Sequence, residues 1–174
     1  MKRLCLLRHA KSDWSDPASD DFSRPLNARG VKAADFMAGY IAASPYRPDA
    51  ILCSTAKRAM QTLAPLTRHL GKGVPIIYRD ALYHAMPDVM LDEIHAAPAE
   101  ASSLLVIAHN PGLVLLAMGL ASHPDDEVAA RVAHGVPTGG LIVFDFDCEW
   151  AEIADGGGET VFFGRPRDLM IREG

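Results

Sequence analysis

Residues 6–13 read Leu6-Leu7-Arg8-His9-Ala10-Lys11-Ser12-Asp13 and set an arginine and a histidine directly behind a short apolar run. The run Lys2 to Leu7 has the composition of a buried strand, so Arg8 and His9 fall where that strand ends and its loop begins. Neighbouring residues of an extended chain point to opposite sides, and both reach one ligand only if the chain turns just past the strand. The stretch therefore predicts a site at the carboxyl end of a first strand.

Outward from this point, strands and helices alternate. Residues 13–25 hold four Asp, three Ser and two Pro and read as a polar loop. Asn27-Ala28-Arg29-Gly30 then leads into a helix over Val31 to Ile41, with Ala33, Phe36, Met37, Tyr40 and Ile41 spaced as one face. Ser44-Pro45 ends it. Ala50 to Cys53 is a second strand, followed by Ser54 as N-cap of a helix that carries Ala56, Ala59, Met60 and Leu63. Val74 to Tyr78 reads as a third strand, Pro87 to His95 as a short helix and Ser103 to Ala108 as a fourth strand. His109 follows, and Asn110 as N-cap with Pro111 at the first helical position opens a helix over Gly112 to Ala121. Gly140 to Asp147 and Trp150 to Ala154 read as an antiparallel pair at one edge, with a last short strand at Val161 to Phe163 after Gly156-Gly157-Gly158. This alternation predicts an α/β fold: a mostly parallel sheet covered on both faces, with ligands bound beyond the strands' carboxyl ends.

The totals narrow the class. A chain of 174 residues fits one domain, residues 1–174, large enough to bury about 70% of its unfolded surface. No apolar run approaches the ~18 residues of a spanning helix, so no membrane contact is expected. Leu4 to Leu7 is shorter than the ~7–15 residues of a signal core. Cys5, Cys53 and Cys148 show no C-x-x-C spacing and fit a reducing, cytoplasmic setting. The net charge of -5 gives no general attraction to nucleic acid, so phosphate binding must come from a local cluster.

Such a cluster falls at three predicted strand ends: Arg8-His9, Ser54 to Arg58, and His109-Asn110. Guanidinium forks and helix N-termini together describe an anion site, for which a phosphoryl group is the natural occupant. A neutral imidazole there can attack phosphorus; a protonated one can donate to a phosphoryl oxygen. Two histidines can divide these roles without a metal or cofactor. The remaining histidines, His69, His84, His95, His123 and His134, lack metal-ligand spacing and read as surface residues, His84 being the one close in sequence to Asp80. No G-x-G-x-x-G or G-x-x-x-x-G-K-[ST] follows any strand, which argues against a nucleotide-binding domain.

The segments Leu6 to Trp14, Ser54-Thr55-Ala56-Lys57-Arg58-Ala59-Met60-Gln61-Thr62 and Ala108-His109-Asn110-Pro111 resemble, in order, the motifs of the histidine phosphatase superfamily. Arg24 to Gly30, the His109 to Gly112 form and Pro137-Thr138-Gly139 are similar to its SixA-type phosphohistidine phosphatase branch. The resemblance implies a Rossmann-like three-layer α/β/α sandwich, with a mostly parallel sheet and an antiparallel edge strand. It implies His9 as nucleophile, Arg8 and Arg58 as phosphate clamps, and His109 as the second histidine of the phosphate pocket. Ala10 stands where the superfamily usually has glycine, and is still small. Where related monoesterases carry a glutamate after the third strand, this chain offers Asp80, either a proton donor or a loop carboxylate paired with a neighbouring arginine. Ser12 either donates to phosphate or satisfies its turn. Lys11, Trp14 and Arg24 lie at the mouth, with Trp14 also a packing candidate. A P–N bond leaves readily once its imidazole is protonated, so a weak acid at Asp80 favours phosphohistidine. The expected function is a metal-independent phosphohydrolase acting through phosphohistidine on His9, with a phosphorylated protein or a small phosphorylated metabolite as substrate. A small-molecule phosphomonoesterase and a catalytically silent phosphate-binding module are the alternatives.

Overall fold

The computed structural model describes residues 1–123 and 127–173. Six strands form one sheet: β1 (Lys2–Arg8), β2 (Ala50–Ser54), β3 (Ile76–Arg79), β4 (Ser103–Ala108), β5 (Leu141–Phe146) and β6 (Glu159–Gly164). Their order is β3-β2-β4-β1-β5-β6. The first four run parallel to one another; β5 is antiparallel to β1, and β6 to β5. The helices are α1 (Ala28–Ala43), α2 (Lys57–Leu70), α3 (Pro87–His95), α4 (Gly112–Leu120), α5 (Glu127–Ala133) and α6 (Pro166–Glu173).

The continuous apolar run of β1 serves two cores at once. Leu4 and Leu6 enter a cluster with Met90 and Ile94 of α3, Leu113 and Leu116 of α4 and Val132 of α5. Cys5 and Leu7, alternating with them, enter a second cluster with Met37 and Ile41 of α1, Leu63 and Leu66 of α2 and Leu169 of α6. A parallel strand covered on both faces has no polar side to show, which is why β1, β2 and β4 read as unbroken hydrophobic runs. The result is the expected three-layer α/β/α arrangement, with β5 and β6 as its antiparallel edge.

Several elements differ from the sequence expectation. Trp150–Glu152 is a short 3-10 turn rather than a strand, closed by a capping box between Glu149 and Glu152. The Trp150 ring is buried and its Nε1 donates to the Ala101 carbonyl at 2.8 Å. Burying that indole against the helical layer competes with strand pairing, so the antiparallel partner of β5 is β6 instead. The helix α1 begins one turn earlier than Val31, because Asn27 Oδ1 accepts the Gly30 N–H at 2.8 Å as its N-cap. Neither expected serine nor asparagine cap forms: Ala56 precedes α2 and Pro111 precedes α4, without side-chain caps. Instead Asn110 Nδ2 donates to the Val136 carbonyl at 3.0 Å, and the Asn110–Pro111 peptide is cis. The short helices α5 and α6 were not expected; at 7 and 8 residues each spans only about two turns, too short for an apolar face to repeat clearly. Trp14 is no core residue, at 75% exposed.

Candidate active site

The sheet order places the ends of β2, β4 and β1 side by side, and the register pairs Arg8 with Ala108. The residues one step further on, His9 and His109, are thereby brought together with ring centroids 5.0 Å apart. Both are buried, at 6% and 2% exposure. The second residue of α2, Arg58, is equally buried and its Nε lies 3.3 Å from His9 Nε2. Thr62, one turn later, fixes this geometry: its hydroxyl accepts the Ala10 N–H at 2.9 Å and donates to the Arg58 carbonyl at 2.7 Å. Gln61 Oε1 accepts the Leu26 N–H at 2.7 Å, tying the same helix to the far end of the polar loop.

The partners of each imidazole set its chemistry. His9 Nδ1 lies 2.7 Å from the Ala10 carbonyl, which can only accept, so Nδ1 carries the proton and Nε2 keeps its lone pair. Burial, aided by the charges of Arg58, Arg8 and Arg24, draws the His9 pKa down to about 4 against the opposing pull of the Ala10 carbonyl. At neutral pH the ring is uncharged, with its nucleophilic nitrogen against a guanidinium. His109 Nε2 lies 2.7 Å from Ser54 Oγ, which also accepts the Ala56 N–H. Burial, then His9, Arg58 and His84, lower the His109 pKa to about 3, with Asp21 opposing. Its Nδ1 is buried and has no hydrogen-bond partner among the described residues.

The arginines converge on a residue the sequence did not single out. Asp21 accepts from Arg24 Nη2 through Oδ1, and through Oδ2 from Arg58 Nη2 at 3.0 Å and Tyr83 Oη at 2.7 Å, while His84 Nε2 lies 3.1 Å from the same oxygen. Its carbonyl also accepts from Arg58 Nη1 at 2.5 Å. Partial burial pushes the Asp21 pKa up, but the Tyr83 hydroxyl and the charges of Arg58 and Arg24 outweigh it and hold the carboxyl at about 2. His84 adopts a left-handed backbone, φ 52°, and stacks on Tyr83 at 4.1 Å. A strained non-glycine residue is tolerated where its surroundings over-determine it, as here. Asp21 and Tyr83 carry no periodic or motif signal of their own, and only the excess of aspartates in residues 13–25 pointed toward that loop; Thr62 closes the Ser54 to Thr62 segment but was given no role there.

The other expected residues are placed as follows. Arg8 Nη1 donates to the Val136 carbonyl at 2.8 Å, and its Nε is buried without a partner. Arg24 has two such nitrogens, Nε and Nη1, and its guanidinium lies 3.3 Å from the centre of the exposed Trp14 ring. Ser12 is buried and bridges to Leu26, its carbonyl accepting from Asn27 Nδ2. Asp80 opens a 3-10 turn after β3, is exposed, and accepts the Thr55 hydroxyl at 2.6 Å; the neighbouring Arg79 pairs with Glu93 instead. No described contact joins Asp80 to His9, His109, Arg8 or Arg58. Among the described residues, no group of three His, Cys, Asp or Glu side chains is placed to hold a metal ion, and no helix is long and apolar enough to cross a membrane.

Two imidazoles held neutral carry a measurable linkage. Their folded pKa values of about 4 and about 3 lie below the ordinary 6.5, so the unfolded chain takes up protons first as pH falls. Their stabilising contribution is complete above about pH 6.5 and is lost as pH falls through the folded values, on the order of 3 kcal/mol per ring by pH 4. Urea unfolding at pH 7 and pH 4 should show this loss, and a smaller one in the His109→Gln variant; equal losses in both would contradict it.

The model of the histidine phosphatase superfamily (branch 1) matches residues 4–86. An uncharacterized protein of Mycobacterium tuberculosis is 39% identical over 163 residues, covering 92% of this chain and all of that one. The structure of a candidate phosphohistidine phosphatase SixA from Agrobacterium tumefaciens is 34% identical, covers 95% of this chain and 98% of its own, and superposes with a TM-score of 0.79. A second such SixA candidate, from Nakamurella multipartitia, is 31% identical over 95% and 96% of the two chains, with a TM-score of 0.81. With sequence likeness over nearly its whole length, the chain belongs to the histidine phosphatase superfamily and to its SixA-type branch.

Proposed function

We propose that residues 1–174 act as one metal-independent phosphohydrolase domain that removes phosphoryl groups from phosphohistidine in a signalling protein, through a covalent intermediate on His9. The observation that carries this reading is the protonation of His9, with Nδ1 tied to a carbonyl and a buried, neutral Nε2 facing Arg58. In the first step the Nε2 lone pair bonds to phosphorus while the bond to the substrate imidazole breaks, and that imidazole leaves carrying a proton. In the second, water attacks phosphorus, the Nε2–P bond breaks, and inorganic phosphate departs. Arg8, Arg58 and Arg24 offset charge on the non-bridging oxygens, and His109, with its unpartnered Nδ1, hydrogen-bonds one of them.

The acid–base balance supports a P–N substrate. The carboxylate that touches the cluster, Asp21, is ionised at any pH above about 2 and cannot supply a proton to an alkoxide. It serves to aim Arg58 and Arg24. An imidazole leaving group is protonated from solvent and needs no such donor, whereas general acid catalysis is worth about 10²–10⁴-fold to a poor leaving group.

Turnover of a histidine-phosphorylated protein and of p-nitrophenyl phosphate, each in excess EDTA, tests the assignment. We expect kcat/KM to favour the phosphoprotein by about 10²-fold, with acid-labile label trapped on the enzyme. A preference for the monoester, or activity lost to the chelator, would sink it.

A further inference from the structure

A cavity of about 820 Å³ opens beside the site, lined by Lys11, Arg29 and Lys32 on one side and by Arg167, Met170 and Ile171 on the other. None of Arg8, His9, Arg58 or His109 lines it, but two of its lining residues are tied to theirs through the backbone. Lys11 follows His9 by two residues. Thr138, also in the lining, precedes Gly139, whose N–H donates to the carbonyls of Arg8 at 3.0 Å and His9 at 3.1 Å.

Two close backbone approaches build the cavity. A Cβ on Gly30 would stand 2.0 Å from the Lys11 carbonyl oxygen, so only glycine lets the first turn of α1 lie against the loop behind β1. Gly139, at φ +76°, packs where a Cβ would meet Pro166 at 2.8 Å, holding the start of α6 against the same loops. Gly30 and Gly139 belong to the segments 24–30 and 137–139, of which only Arg24 enters the chemistry at His9.

The charges of this cavity oppose local stability. Arg165 is held by Asp168 at 2.6 Å, but Lys11, Arg29, Lys32 and Arg167 form no ion pair among the described residues. Arg29 lies in the first turn of α1 with Lys32 directly after it, and Arg167 lies in the first turn of α6; α1 has no acidic residue in its first turn, and the one in α6, Asp168, is taken up by Arg165. Cations at a helix N-terminus face the positive end of its dipole, an arrangement unfavourable by a few tenths of a kcal/mol each. A protein of net charge -5 that gathers four cations without ion pairs around one cavity has built an anion-attracting surface. All four side chains are exposed rather than buried, and Ile171 is 72% exposed beside them. Exposed cations mixed with apolar surface suit a flexible acidic segment better than a small anion, which needs buried, fixed donors.

We propose that this cavity docks an acidic segment of the substrate protein while its phosphohistidine reaches His9. The proposal rests on the phosphohistidine reading given above. It is tested with two synthetic phosphohistidine peptides, one flanked by glutamates and one by alanines, on the wild type and on a Lys32→Glu/Arg167→Glu double variant. The wild type should show a KM about tenfold lower for the glutamate peptide at equal kcat, and the preference should shrink with added salt. The variant should lose the preference and keep its turnover of the alanine peptide. A preference retained in the variant, or a parallel loss on both peptides, overturns the docking site. If the wild type hydrolyses neither peptide, the phosphohistidine reading fails, and docking is then read from binding of the unphosphorylated glutamate peptide, which the variant must weaken for the proposal to stand.

Discussion

Replacing His9 by alanine should lower kcat by about ten-thousand-fold or more and leave no label on the enzyme after an acid quench. The size follows from the loss of the nucleophile itself rather than of a supporting contact. His109 is poorly set to take its place, because its Nε2 is engaged by the Ser54 hydroxyl at 2.7 Å and no guanidinium is bonded to its Nδ1. The fold should survive, because the loop around the site keeps its other ties: Arg58 keeps both its bonds to Asp21, and Thr62 still accepts the Ala10 N–H. Affinity for inorganic phosphate should change far less than kcat, since Arg8, Arg24, Arg58 and His109 remain. Mass spectrometry of quenched enzyme, circular dichroism and phosphate inhibition separate these quantities. Turnover within tenfold of the wild type, or label found on His109, would refute the covalent role of His9.

The layers and the strand-end clusters were legible in the sequence because both rest on short-range pattern. A strand buried on both faces must be apolar throughout, and the first polar residues after it must lie at its end; Arg8 and His109 follow that rule directly. Arg58 was legible through its place just inside a helix that begins at a strand end. What could not be read was long-range pairing between loops. Asp21 lies in a stretch with four equivalent-looking aspartates, and only the folded chain brings one of them to Arg58, Tyr83 and His84, which are 37, 62 and 63 residues away. Ser54 was visible as a polar residue at the right place but with the wrong partner: as the last residue of β2 it turns to the His109 ring, and its hydroxyl supports the backbone only through the Ala56 N–H. The Trp150 turn was missed for a related reason, since period-two patterning does not register an indole that must be buried in the neighbouring layer.

Arg58→Lys retains the charge and removes the fork, and this substitution should lower kcat/KM by about 10²–10³-fold. In the wild type one planar guanidinium does three things at once: Nε meets His9 Nε2, Nη1 donates to the Asp21 carbonyl and Nη2 to its carboxylate. A lysine ammonium reaches one of these positions as a point charge and cannot hold the other two. Asp21 would still be bonded by Arg24 and Tyr83, so the polar loop should stay in place and thermal stability should fall only modestly. What is lost is alignment: the guanidinium edge no longer faces both the attacking nitrogen and the oxygens of the group being attacked. The loss should therefore fall mainly on kcat, with inorganic phosphate inhibiting almost as well, because a cation remains. Arg58→Ala should add a large rise in KM to the same fall in kcat. If Arg58→Lys turned over within about threefold of the wild type, charge alone would suffice at this position, and the fork geometry would have no part in stabilising the transition state.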